Sequence, residues 1–375
     1  MQSATIWLTE NCNLKCRYCY EGQEKGKRKF AISNITALIS FIEREILESA
    51  KKEDKVIISF HGGEPLLELK MMKNIISDLD KISAKRNISI VYEVTTNGNV
   101  NEMEFLEYIK NREDFRISVS LDGKKEINDL FRMTKCGESS FDKAFWFAKQ
   151  LLKTKKYPRI RMTLTPEMVE YLYENITFFI KEGFEMIVTV PDFFDKKWEQ
   201  WHLVKIEEQL YKIYGYCRDI STEPQISLLD QTSYLKKVGR CFGGITEINI
   251  GCDGLLYPCT YTVNNMKYCI GNIWTGVDRV KEKKLLTLYE KNNEECFGCG
   301  LESACICTRC KFLNEAITGN CTAPVPIICG FMNVFYRFFR NVNTNSTTLQ
   351  LFHKKNIVQD FLMYNEFDPK HYKGK

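Results

Sequence analysis

Cys12-Asn13-Leu14-Lys15-Cys16-Arg17-Tyr18-Cys19-Tyr20 follows closely on the apolar run Ala4 to Leu8. The spacing C-x3-C-x2-C puts three thiols in one short loop at the end of a predicted strand. Three thiolates hold three irons of a 4Fe–4S cube and leave the fourth iron without a protein ligand. An open metal position is where a substrate or cofactor binds, as it is at a catalytic zinc. Taken alone, the three residues also fit a buried, redox-inert group of thiols.

The rest of the composition narrows the setting. At 375 residues the chain is long enough for a large core and two domains. With 44% hydrophobic and 27% charged residues it reads as globular, and a formal net charge of +5 makes no case for nucleic acid. The basic run Lys25-Gly26-Lys27-Arg28-Lys29 reads as a solvated loop, with a contact for an acidic peptide as the functional alternative. No export signal precedes the strand before Cys12, so a cytoplasmic location is expected. Val325 to Phe339 is apolar but carries Asn333 and Arg337 and is too short to span a bilayer, so no membrane is expected. In a reducing compartment, 16 cysteines point to metal binding rather than disulfides. The four histidines (His61, His202, His353, His371) show no metal-ligand spacing, which argues against hydrolytic zinc.

Up to about residue 190, β-rich runs alternate with helical patterns. Strands are predicted at Ala4–Thr9, Lys55–Phe60, Ile88–Thr95, Phe115–Leu121, Arg159–Leu164 and Glu185–Val190. Ile35, Leu38, Ile39, Ile42 and Ile46 repeat at helical spacing behind Ser33 as N-cap, and Met72, Ile75, Ile76, Leu79 and Ile82 do the same. A third helix opens on Thr165 as cap with Pro166 at its first position, where the missing N–H costs nothing. Val169, Leu172, Ile176 and Phe179 form its buried face. Six such units imply a parallel sheet covered by helices, hence an α/β chain with functional loops at the carboxyl ends of the strands. Cys12–Cys19, Gly62-Gly63-Glu64-Pro65, Thr96-Asn97-Gly98 and the group Ser118, Ser120, Asp122 all fall at such ends.

These motifs together resemble the radical S-adenosylmethionine (SAM) superfamily. The resemblance implies a partial (β/α)6 TIM-like barrel over 1–190, with Cys12, Cys16 and Cys19 holding a catalytic 4Fe–4S cluster. Gly62, Gly63, Glu64 and Pro65 match the GGEP loop, whose glycines would admit the methionine end of SAM and whose carbonyls and Glu64 would accept from its ammonium. Asn97 lies on the third-strand loop, and Ser118, Ser120 and Asp122 match the fourth-strand ribose site. Arg132 matches an arginine that pairs with the SAM carboxylate in peptide-modifying members; a surface ion pair is its alternative. Tyr18 stands where the family places an aromatic beside the adenine, and Leu164 is a further candidate adenine contact.

Residues 191–235 form an aromatic-rich helical connector whose Trp198, Trp201, Tyr211, Tyr214 and Tyr216 read as core packing. From Cys241 to Cys329 the composition shifts, with 11 of the 16 cysteines. Residues 236–340 resemble the SPASM extension, which implies two auxiliary 4Fe–4S clusters and three in all. Cys241, then Gly254-x4-Cys259, then Cys296-x2-Cys299-x5-Cys305 follow its pattern. The next step, C-x3-C, is irregular: position 309 is Arg, flanked by Cys307 and Cys310. Cys329 fits the closing cysteine better than Cys321. On this resemblance Cys241, Cys259 and Cys310, with Cys252 as a fourth candidate, hold one auxiliary cluster. Cys296, Cys299, Cys305 and Cys329 hold the other, and Cys307 competes with Cys305 and Cys310. Structural zinc on Cys296-x2-Cys299 and Cys307-x2-Cys310 is the alternative. The tail, 341–375, is polar with one apolar patch at Ile357, Phe361 and Leu362.

Enzymes with this extension act on peptides or proteins. The resemblance implies an oxidoreductase that cross-links a ribosomally made peptide by thioether or carbon–carbon bonds. Formylglycine formation in a sulfatase, peptide epimerisation, and an electron carrier or redox sensor without substrate are the alternatives. Gly251–Asn272 is closest to the sulfatase-maturating enzymes, but those carry an Asp base directly after the G-x4-C cysteine. Here Thr260 occupies that place, and a hydroxyl cannot take the proton at neutral pH. A flavodoxin or ferredoxin is the expected electron donor. Because no leader-binding domain precedes Ala4, leader binding is expected to fall to a separate protein or to the 191–235 connector, or to be unnecessary.

Overall fold

The computed structural model describes residues 3–50, 55–230 and 241–342. They divide into two compact units, each discontinuous in sequence: Met1–Arg161 with Phe242–Leu286, and Met162–Cys241 with Thr287–Lys375. Part of the cysteine-rich segment packs with the N-terminal strands.

Seven strands open the chain: β1 (Ser3–Thr9), β2 (Leu14–Cys16), β3 (Lys55–Gly62), β4 (Ser89–Thr96), β5 (Phe115–Ser120), β6 (Arg132–Thr134) and β7 (Arg159–Leu164). In the first unit β1, β3, β4, β5 and β7 pair in parallel in that order, with Ser3 opposite Ile57, Lys55 opposite Ser89, Tyr92 opposite Phe115 and Ser118 opposite Arg159. The architecture is the expected mixed α/β class built on a large parallel sheet. Alternation explains the layers. In β3, Val56, Ile58 and Phe60 are buried, while Ile57, Ser59 and His61 on the opposite face are only half-buried. Crossover helices α1 (Ile35–Ile42), α2 (Leu69–Arg86), α3 (Glu102–Ile109), α4 (Lys125–Phe131) and α5 (Phe141–Lys153) link the strands. Helix α2 buries Met72, Ile75, Ile76 and Leu79, each a side chain whose burial contributes roughly 1.5–3 kcal/mol. It ends where Asn87 turns left-handed (φ 53°) and the Ile88 N–H reaches back to the Ser83 carbonyl at 3.1 Å. Ser33 does not cap α1: it lies inside a 3-10 turn, Ile32–Asn34, and Asn34 precedes the helix without a side-chain cap.

Beyond residue 241 the first unit gains an edge that periodicity did not reveal. Strand β10 (Glu247–Ile250) adds in parallel to β1, Ser3 opposite Glu247, and β11 (Leu255–Tyr257), β12 (Gly271–Asn272) and β13 (Gly276–Val277) continue outward antiparallel. The open edge of β1 is thereby paired, as exposed strand edges generally must be.

In the second unit β8 (Met186–Pro191) pairs in parallel with β9 (Gln225–Ile226), Met186 opposite Gln225. Helix α6 (Leu172–Lys181) follows a 3-10 turn, Pro166–Tyr171, for which Thr165 stands at the N-cap and Pro166 opens the first turn. The aromatic connector is α7 (Gln200–Asp219), and its residues pack on the helix Pro326–Val342. Trp198 meets Phe331 edge-on at 5.5 Å, Tyr211 meets Phe338 at 5.2 Å, and Arg337 pairs with Glu207 at 2.6 Å. His202 caps α7 by accepting the Glu199 N–H at 2.9 Å, which uses it structurally. Among the described residues no helix is long and apolar enough to cross a membrane. His353, Ile357, Phe361, Leu362 and His371 lie outside the described residues.

Candidate active site

Strand β1 delivers Cys12, and the short β2 carries Cys16. The Cys12 Sγ accepts the Leu14 N–H at 3.4 Å and the Asn97 side-chain amide at 3.6 Å. Asn97 also donates to Asn13 at 2.8 Å, so the third-strand loop is tied to the cysteine loop. Burial pushes the free Cys12 thiol up to about 12 and raises Cys16 as well. Cys19 is half-buried and receives Lys25 Nζ at 2.7 Å. Donors aimed at sulfur favour thiolate, the form that binds metal. The basic run is an exposed loop, as expected, and three of its cations nonetheless have partners. Lys25 serves Cys19, Arg28 pairs with Glu10 (2.6 Å) and Asp253 (3.4 Å), and Lys29 pairs with Glu68 (2.5 Å).

A short two-stranded ribbon then sets the charge beside the thiols. β2 pairs antiparallel with β6 so that Cys16 stands opposite Arg132. Arg132 Nη1 donates to the Tyr18 hydroxyl, which donates to Asp122, and Arg132 lies 3.7 Å from that carboxylate. Asp122 is fully buried, and the Asn128 side chain accepts its backbone N–H at 3.2 Å. Tyr18 is thus a bridge in an ion pair, with its ring against Phe131 at 6.3 Å. Arg132 Nε is buried without a partner. That orphaned guanidinium N–H is the donor a carboxylate ligand needs, so the site fits the SAM carboxylate expected there. Ser118 is buried and Ser120 half-buried, opposite Arg159 and Arg161. Leu164 is buried in the second unit.

The Gly-Gly-Glu-Pro loop is seated on the cysteine loop by its own backbone. Gly62 adopts φ +138°, and a Cβ there would run into the Thr9 carbonyl; a Cβ on Gly63 would run into the Asn11 carbonyl. The Gly63 N–H bonds Thr9 O at 2.9 Å and the Glu64 N–H bonds Asn11 O at 2.9 Å. The glycines therefore seat this loop against the start of the cysteine loop. Glu64 accepts from the Leu66 N–H (3.0 Å), the Thr96 hydroxyl (2.7 Å) and the Asn97 N–H (2.7 Å). It braces two strand ends, with Pro65 opening the next turn. Burial raises its carboxyl to about 7, against the pull of these three donors. Gly63→Ala should cost about 1–3 kcal/mol by overpacking and should reduce the iron held on reconstitution. Urea midpoints and iron assays check this; an unchanged iron content would show that the seating is dispensable.

The half-buried face inside the first unit is polar. His61 packs its ring on Trp7 at 4.8 Å, and burial, then the Arg161 charge, lower its pKa to about 4. It is a neutral imidazole with a buried, unpartnered Nδ1. Thr260 donates to Asn249 Oδ1 at 3.2 Å, leaving Asn249 Nδ2 buried and unpartnered. Cys252 donates to the Trp7 carbonyl at 3.3 Å. Cys259 is half-buried and precedes the turn Thr260–Thr262.

The second unit gathers thiols of its own. Cys296 feels the charges of Cys329, Cys305 and Cys299, and burial, the larger effect, raises it. Cys307 is wholly buried, hydrogen-bonded to Cys305 and Cys329, and its Sγ accepts the Val325 N–H at 3.3 Å. Cys310 is a neighbour of Cys241. Among the described residues no three His, Cys, Asp or Glu side chains close on one point as ligands of a single ion would. Asn128 and Lys311, both bonded into these sites or beside them, carried no motif by which sequence alone would single them out.

Comparison with known proteins agrees with this geometry. Residues 7–168 match the family model described as Radical SAM superfamily. A cysteine-type anaerobic sulfatase-maturating enzyme of Clostridium novyi is 25% identical over 76% of this chain and 78% of its own length. The enzyme of the same name from Clostridium perfringens is 24% identical over 82% and 88%. Among solved structures, anSMEcpe with bound AdoMet and a Cp18Cys peptide superposes with a TM-score of 0.76 at 20% identity, covering 92% of this chain and 98% of that one. Streptococcus suis SuiB bound to S-adenosylmethionine gives 0.63 at 17% identity, covering 88% and 77%. At these identities the structural likenesses establish the fold.

Proposed function

We propose that this chain, whose residues 7–168 match the Radical SAM superfamily model, is an enzyme that oxidatively cross-links a ribosomally synthesised peptide. The observation that carries this reading is Thr260. Its hydroxyl is spent on Asn249, so the position directly after the G-x4-C cysteine offers no carboxylate base. Formylglycine formation is the second reading, favoured by the names of the two clostridial relatives.

In this proposal Cys12, Cys16 and Cys19 hold the SAM-binding cluster. When bound, cluster and SAM supply the 5′-deoxyadenosyl radical that takes one hydrogen atom from the substrate. Arg132 Nε takes the SAM carboxylate, while Tyr18 and Asp122 fix the guanidinium for that role. Asn97 and Glu64 keep the strand ends from shifting under the cysteine loop. Closing a bond in the substrate also releases a proton and one further electron. The proton leaves to solvent, and Cys296, Cys299, Cys305 and Cys329 hold an auxiliary cluster to accept the electron.

The test is anaerobic incubation of the reconstituted protein with SAM and dithionite, using two kinds of peptide. One is any short cysteine-containing peptide encoded beside the gene; the other is a sulfatase-derived peptide carrying its target cysteine. Cross-linking gives a peptide lighter by two hydrogen atoms and short of one free thiol or ring hydrogen. Exchange of thiol for aldehyde on the sulfatase peptide alone would replace this reading with the second.

A further inference from the structure

Arg159 and Arg161 stand two apart on β7, so both side chains lie on one face of the sheet, the half-buried one. Their partners in register are Ser118 and Ser120 of β5, whose hydroxyls bring no charge to meet them. Further along the register Arg116 stands opposite Glu93, and Glu93 opposite Ser59. On β3, β4, β5 and β7 this face holds one carboxylate, Glu93, and it is already taken. Arg116 pairs with it at 3.3 Å, and the Ser59 hydroxyl donates to it at 3.3 Å. Among the described residues no hydrogen bond or ion pair engages the guanidinium of Arg159 or of Arg161. Two like charges side by side and out of bulk water are costly unless an anion joins them. Burial, then the Arg159 charge, lower the Arg161 pKa accordingly.

Parallel sheets ordinarily bury apolar side chains on both faces, so packing does not explain a face of this kind. Its other end is short of acceptors too. Trp7 Nε1 and Asn249 Nδ2 are buried N–H donors without partners, and Asn249 stands opposite Thr5, two residues before Trp7. We propose that Arg159 and Arg161 form a carboxylate clamp for the substrate peptide, holding an aspartate or glutamate side chain or the terminal carboxylate. Guanidinium forks suit a carboxylate bidentately. The carbonyls of a peptide laid along the face are the acceptors that Trp7 and Asn249 lack. The inference rests on the reading that the substrate is a peptide.

The test offers full-length protein, reconstituted anaerobically with SAM, random peptides of one fixed length that each carry one cysteine. One pool has free carboxyl termini and a competing pool has amidated ones; the captured peptides are sequenced. A carboxylate should be enriched about 10- to 100-fold over the input, as a charge-assisted hydrogen bond would give. Acidic residues enriched in both pools identify a side chain as the anchor, and preference for the free-acid pool alone identifies the terminus. Arg159→Met/Arg161→Met, which keeps the apolar stems, should abolish the preference and hold or raise the urea midpoint, because two unpaired cations disappear. Capture without carboxylate preference in the wild type, or the same preference in the double variant, overturns the inference. A lowered midpoint overturns it as well, since the guanidiniums would then be holding the fold. A wild type that captures no peptide at all would instead overturn the peptide reading beneath it.

Discussion

Arg132→Met should destabilise the protein by about 3–5 kcal/mol, the cost of leaving one member of a buried ion pair uncompensated. Asp122 is wholly buried, and the change removes the guanidinium that stands 3.7 Å from its carboxylate. The paired variant Arg132→Met/Asp122→Asn should recover most of that stability, because both charges then disappear together. It should not recover SAM binding. A charge-assisted hydrogen bond to a carboxylate contributes about 1.5–3 kcal/mol, so both variants should bind SAM roughly 10- to 100-fold more weakly. Denaturation midpoints and equilibrium binding separate the two roles. If the paired variant bound SAM like the wild type, Arg132 would be a structural pair and nothing more.

Cys16→Ala should have the larger effect on chemistry. With two thiolates left on the loop, the site cannot hold a cube by three corners, and 5′-deoxyadenosine formation should fall to background. Stability should change far less than in Arg132→Met, since the β2–β6 ribbon is held by backbone pairing of Leu14 with Thr134 and Cys16 with Arg132. Iron content should drop by one cluster while the signals from the second unit persist. Retention of turnover would refute the assignment of the three thiols.

Much of this site was legible because its residues sit where strands end. Arg159–Leu164 is the strand the apolar alternation predicted, and β1, β3, β4 and β5 differ from prediction by one or two residues at their ends. Elements held by few residues were not legible. The ribbon that places Arg132 opposite Cys16 uses two three-residue strands, too short for any period to show, although family resemblance pointed to Arg132 itself. Glu64 gave no sign that it braces Thr96 and Asn97, because a side chain partner about thirty positions away leaves no local pattern. The glycines of its loop also make room, by their missing Cβ atoms, for the Thr9 and Asn11 carbonyls, a seating that the motif alone did not show. Strands β10 to β13 were hidden inside a segment whose cysteine spacing drew the reading toward a separate domain.

Buried polar groups mark where the sequence departs from ordinary packing: the orphaned Arg132 Nε, neutral His61 on Trp7, Asn249 beside Thr260, and Lys311 among cysteines. Each is costly in a protein interior unless another group meets it. Their concentration around the thiol loops supports the view that both units are built around negatively charged, ligand-bearing centres.

The most direct measurement is anaerobic incubation of the reconstituted wild type with SAM and dithionite, followed by chromatography for 5′-deoxyadenosine. The account predicts that the nucleoside forms and that the reduced cluster's resonance spectrum changes when SAM is added. An intact set of clusters whose spectra ignore SAM, with no nucleoside released, would contradict it.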